Sequence, residues 1–123
     1  MSVEPIRDQG QTLNYPRGKV LGIVDTRGQL DNVVASLKKA GFEGIKALHG
    51  EDGVQLLERV NGFFFSDLEE RVLERHIQEL QAGHFIVAVD TPSNRAAEAA
   101  NVASEHGARR LVHFELLTVT WLK

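Results

Sequence analysis

Apolar and polar positions between Lys19 and Gly53 follow two rhythms in turn. Val20-Leu21-Gly22-Ile23-Val24 is a short apolar run that stops at the turn cluster Asp25-Thr26-Arg27-Gly28, which reads as a buried strand. Leu30, Val33, Val34 and Leu37 then recur at i, i+3, i+4 and i+7, predicting an amphipathic helix whose wet face carries Asp31, Asn32, Lys38 and Lys39. Its last-turn lysines suit the helix dipole, and Gly41 stands where a left-handed cap is needed. Ile45 to Leu48 is a second strand, closed by Gly50.

The same design recurs downstream. His84-Phe85-Ile86-Val87-Ala88-Val89 is an apolar strand ending in Asp90-Thr91, as the first ends in Asp25-Thr26. Ala96, Ala99, Ala100 and Ala103 repeat the helical offsets, Gly107 matches Gly41, and Leu111 to Phe114 matches Ile45 to Leu48. The two aspartates lie 65 positions apart and the two glycines 66. Two βαβ units of one design predict an α+β fold, a ferredoxin-like repeat pair with both crossover helices on one face of the sheet.

A two-helix insert, residues 51–83, separates the halves. It holds a short helical piece (Val54, Leu57, Val60), the knot Phe63-Phe64-Phe65 and a longer helix. Ser66 and Glu69 are spaced as a capping box, Gly83 stops the longer helix, and Leu68, Val72, Leu73, Ile77 and Leu80 form its apolar stripe. Arg75 and Glu79 read as an i,i+4 pair on the wet side.

The two central strands are apolar on both faces, whereas helices from the repeats cover only one. A bare apolar sheet face exceeds what monomers usually expose. The insert, a second subunit or both must therefore cover it. The tail 116–122 has strand chemistry and can add to an edge or cross to a partner, so a homodimer is expected. Residues 1–18, with Pro5, Gly10, Pro16 and Gly18, read as a flexible arm ahead of one domain over 19–123.

Composition narrows the function classes. The chain has 123 residues, 42% hydrophobic and 25% charged, an ordinary globular balance. It contains no cysteine, which excludes disulfides, thiol catalysis and thiolate metal sites and fits a cytoplasmic location. A net charge of −3 gives no general attraction to nucleic acid or anionic membrane, and the longest apolar run, Phe85 to Val89, falls far short of a bilayer span of about 20 residues.

Candidate chemistry is sparse. His49-Gly50-Glu51-Asp52-Gly53 joins a histidine to two carboxylates between permissive glycines, which suits a ligand; the same residues also make a strand-to-helix turn with Asp52 as N-cap. Asp25 and Gly28 belong to a second turn at a strand's end. Asp90-Thr91 duplicates Asp25-Thr26, which favours a shared turn design over a catalytic role. His113 and Glu115 share a strand face, but their strand and that of His49 lie at opposite sides of the sheet, too far apart for one metal site. His76 reads as a satisfied, partly buried histidine, and His84 and His106 as cations at element ends. Neither G-x-G-x-x-G, a P-loop nor G-x-S-x-G occurs, so no cofactor, catalytic residue or metal is assigned.

Val20-Leu21-Gly22-Ile23-Val24-Asp25, Ala40-Gly41-Phe42 and Leu48-His49-Gly50-Glu51-Asp52-Gly53 resemble the small bacterial general-stress-type domains, the YflT-like, heat-induced stress protein group. Gly83 to Val89 and His106-Gly107-Ala108-Arg109 are similar to that group's closing βαβ unit. The resemblance runs from about Lys19 to Leu122 and implies a ferredoxin-like fold with no established enzymatic activity, and carries over no catalytic residue. Asp25 to Leu30, with Leu37 and Gly41, is similar over about 25 residues to the opening of ACT-type regulatory domains. That second resemblance implies a small-molecule ligand at Gly28 and its neighbours.

Overall fold

The computed structural model describes residues 18–61, 67–114 and 119–122. In chain order these form β1 (Lys19–Val24), α1 (Arg27–Lys39), β2 (Ile45–Leu48), α2 (Gly50–Asn61), α3 (Asp67–Gln81), β3 (Phe85–Asp90), α4 (Ala96–Glu105), β4 (Arg109–Phe114) and β5 (Val119–Trp121), with a 3₁₀ turn, Ser93–Arg95, ahead of α4. The architecture is α+β. The sheet has the order β2-β3-β1-β4-β5, and every neighbouring pair is antiparallel.

Strand alternation divides the core in two. Leu21, Ile23, Ile86, Ala88, Val112 and Phe114 pack under the insert, against Val54 and Leu57 of α2 and Val72, Leu73, Ile77 and Leu80 of α3. Val20, Val24, Val87, Val89 and Leu111 point the other way, against Leu30, Val33 and Leu37 of α1 and the four alanines Ala96, Ala99, Ala100 and Ala103 of α4. The second sheet face is therefore covered by the chain's own insert and needs no second subunit. The small alanine stripe lets α4 lie close to β1 and β4.

β5 adds to the β4 edge, with Val112 opposite Trp121 and Phe114 opposite Val119. Between Leu21 and Ile23 the β1–β4 register shifts, so that Gly22 faces the two residues Arg110 and Leu111. Arg110 takes the left-handed backbone (φ +52°), and a Cβ on Gly22 would lie 2.6 Å from Leu111 Cδ2. The two halves also end their strands differently. Thr26 caps α1, accepting from Gln29 N at 3.1 Å, whereas Thr91 Oγ1 donates to Val89 O and α4 begins after Arg95 without a side-chain cap. The shared Asp-Thr turn is thus a likeness of sequence and not of bonding.

The expected arm, apart from Gly18, lies outside the described residues, as do the Phe63-Phe64-Phe65 knot, Ser66 of the capping box and Glu115. No described helix is long and apolar enough to cross a membrane.

Candidate functional site

Antiparallel pairing brings the end of β1 against the starts of β3 and β4. Val24 lies opposite Phe85, and Ile23 opposite Arg109. The next residue along β1 is Asp25, and the residue before β3 is His84. Alternation turns Asp25 and His84 toward the insert side, as it does Ile23 and Ile86, and Arg109 shares that side as the partner of Ile23. Glu79 reaches the same place from the last turns of α3.

One guanidinium holds this group together. Arg109 Nη2 donates to Asp25 Oδ1 at 2.6 Å and to Glu79 Oε1 at 2.8 Å, while Nε lies 3.2 Å from both Asp25 oxygens and Nη1 lies 3.4 Å from Glu79 Oε2. His84 Nδ1 donates to Glu79 Oε1 at 2.7 Å, and its Nε2 lies 3.6 Å from Asp25 Oδ1. The Glu79 side chain is 15% exposed and that of Asp25 41%. Hydrogen bonding from Arg109 holds both carboxyls below the usual carboxylate range, against the opposing effect of burial, and raises the guanidinium's own pKa.

Asp25, Glu79 and His84 offer carboxylate and imidazole atoms within 4.8 Å of one another, the donor types of a divalent-cation site. The Arg109 guanidinium already compensates both carboxylates. A cation entering here would have to displace it.

The sequence candidates fall in separate places. Asp25 joins the group around Arg109. His49 leaves β2 at the same end of the sheet but is exposed, its ring 5.7 Å from that of Phe85 at 57°. Gly50 opens α2 with φ +64°, so Asp52 lies inside the first turn and is not its N-cap. Glu51 accepts from Gln55 Nε2 at 3.5 Å, and Asp52 is exposed. Gly53 is buried, and a Cβ there would stand 3.2 Å from Leu48 Cβ and from Leu80 Cδ1, which makes it a point of close α2–sheet packing. Gly28 is exposed in the first turn of α1. Asp25 N and Thr26 N donate to Gln29 Oε1, and with Thr26 Oγ1 on Gln29 N they complete a capping box.

The other histidines are spent differently. His76 is fully buried: Nδ1 bonds to Val72 O at 2.8 Å, Nε2 has no partner among the described residues, and burial lowers its pKa. It is therefore half satisfied, and more deeply buried than its place in the stripe implies. His106 Nε2 lies 2.8 Å from Ser36 Oγ, and His113 is buried on β4.

Sequence reasoning gave Glu79 only a wet-face pair with Arg75, gave His84 only an end-of-element role and assigned Arg109 no role of its own. One signal was available for Glu79. It is a carboxylate near the C-terminus of a helix with no basic residue in its last turn, where the dipole disfavours it unless a cation from elsewhere compensates. Arg75, its expected partner, lies 3.9 Å away and Arg109 much nearer.

No family model, curated protein or solved structure matches this chain.

Proposed function

We propose that this chain is a non-catalytic interaction domain on a ferredoxin-like frame, of the general-stress type it resembles, and that it works as a cytoplasmic homodimer. The strand order β2-β3-β1-β4, with both crossover helices on one face, supports the frame. The net charge of −3 speaks against nucleic acid as the partner.

The observation that carries the reading is the saturation of the one convergent polar cluster among the described residues. Arg109 binds both Asp25 and Glu79, and Glu79 binds His84, so these groups clasp the insert to the end of the sheet. The turn from Asp25 to Leu30 is equally spent, its Asp25 on Arg109 and its Thr26 on Gln29.

A thermal-shift screen over amino acids, nucleotides and divalent metals tests this. A flat screen together with a dimer in sedimentation supports the interaction domain. A ligand at 100 times its Kd adds about 2.7 kcal/mol to stability. Such a rise, abolished by His49→Ala or Asp25→Asn, would replace the proposal with a small-ligand-binding, ACT-like module.

A further inference from the structure

We infer that a second copy of this chain docks on the outer edge of β2, continuing the sheet across a two-fold axis at Ala47. The inference rests on the self-association reading and names its surface.

The hydrogen-bond phase of β2 fixes what the edge offers. Among the described residues, β2 is the outermost strand on its side of the sheet. Asp90 N donates to Gly44 O at 3.2 Å, and Thr91 N donates to Gly18 O at 2.9 Å, so Asp90 bonds toward β2 and Thr91 toward β1. Bonded and non-bonded pairs alternate along an antiparallel ladder. Lys46 with Ala88 and Leu48 with Ile86 are then the bonded pairs, and the N–H and C=O groups of Ile45 and Ala47 point outward.

Beside this edge runs a groove formed by Leu30, Val34 and Ala35 of α1 together with Ala47, and flanked by Arg27, Asp31 and Lys38. Asp31, which lies 3.6 Å from Arg27 of its own helix, is complementary to Lys38 across a dyad. A two-fold axis between Val34 and Ala35 sets Asp31 against Lys38 of the second copy, twice, with the small apolar pair at the centre.

The strand narrows the register to one. A two-fold axis that joins outward-facing groups is centred on residue 45, 46 or 47. Centring on Lys46 sets two lysines directly opposite, which is destabilising. Centring on Ile45 moves the axis away from the groove residue of β2. Centring on Ala47 sets Lys46 against Leu48 of the second copy and aligns the strand axis with the helix axis, because Ala47 itself lines the groove with Val34 and Ala35. Lys46 then blunts the edge against other strand pairings.

The cysteine-free chain makes a direct test possible. In a bonded antiparallel pair the Cα atoms are about 5.5 Å apart, within disulfide reach. Ala47→Cys should therefore oxidise to a covalent dimer, whereas Lys46→Cys, offset from its own copy, should not. Ala47→Pro removes only an outward N–H, so it should stay folded, sediment as a monomer and show a Tm that no longer rises with protein concentration. Asp31→Lys should weaken dimerisation about tenfold, and adding Lys38→Asp should restore it. A dimer that survives Ala47→Pro and does not cross-link through Ala47→Cys overturns this surface and leaves self-association standing. A wild-type chain that sediments as a monomer at millimolar concentration overturns both.

Discussion

Arg109 Nη2 stands 2.6 Å from Asp25 Oδ1 and ties the first residue of β4 to the residue that leaves β1. The same nitrogen reaches Glu79, so one side chain joins both strands to α3. Arg109→Leu leaves two carboxylates facing each other, one of them 15% exposed, and should cost about 2 kcal/mol in urea unfolding. Double-mutant cycles should give about 1–2 kcal/mol of coupling for Arg109 with Glu79 and about 0.2–1 kcal/mol for the more exposed Asp25. Equal couplings would contradict this ordering.

The carboxylates of this clasp also set an acid limit. Asp25 and Glu79 titrate lower in the folded chain than in the unfolded one, chiefly through Arg109. Their contribution is present above the unfolded carboxylate range, about pH 4, and is lost as pH falls through the folded values. The stability gap between wild type and Glu79→Gln should narrow from pH 7 to pH 2.5 when urea midpoints are compared. Parallel profiles would show that Glu79 carries none of the effect.

His76 acts in a different window. Burial keeps it neutral in the fold below its ordinary value of about 6.5, so the unfolded chain takes up the proton first. Stability should fall as pH drops below about 6.5. His76→Leu should remove that slope and, by eliminating a buried nitrogen with no partner among the described residues, should be at least as stable as wild type at pH 6. A slope that persists in the variant assigns it to another group.

The β1–β4 bulge supplies a backbone test. Arg110 has φ +52°, which a β-branched residue tolerates poorly. Arg110→Val should cost about 1–2 kcal/mol, while Arg110→Asn should stay within about 0.5 kcal/mol of wild type. Gly22→Ala drives a methyl into Leu111 and should cost about 1–3 kcal/mol. Thermal or urea unfolding reads all three.

The unequal Asp-Thr turns predict unequal responses. Thr26→Ala removes a capping box, should cost about 1 kcal/mol and should speed amide exchange in the first turn of α1. Thr91→Ala should leave exchange in the first turn of α4 unchanged, because its hydroxyl bonds to Val89 O and not to a helix N–H. Matching changes at both helices would restore the shared design.

The positions of the strands and helices could be read from the order of residues alone. Periods of two and 3.6 are local, and each apolar stripe states which side must be buried: Leu30, Val33 and Leu37 on α1, the four alanines on α4, and both faces of β1 and β3. From that two-faced apolarity it also followed that the sheet needs a second cover. Which cover it has was decided only in three dimensions, because a stripe records that burial occurs and not against what; α2 and α3 close that face from within the chain. Apart from the uncompensated helix-end carboxylate of Glu79, the polar cluster was equally out of reach. Asp25, Glu79, His84 and Arg109 span 84 positions, and each has an ordinary local reading as a turn, a wet helix face, a strand approach or a strand start. Antiparallel pairing and the descent of α3 bring them within bonding distance, and no local pattern of side chains encodes that meeting.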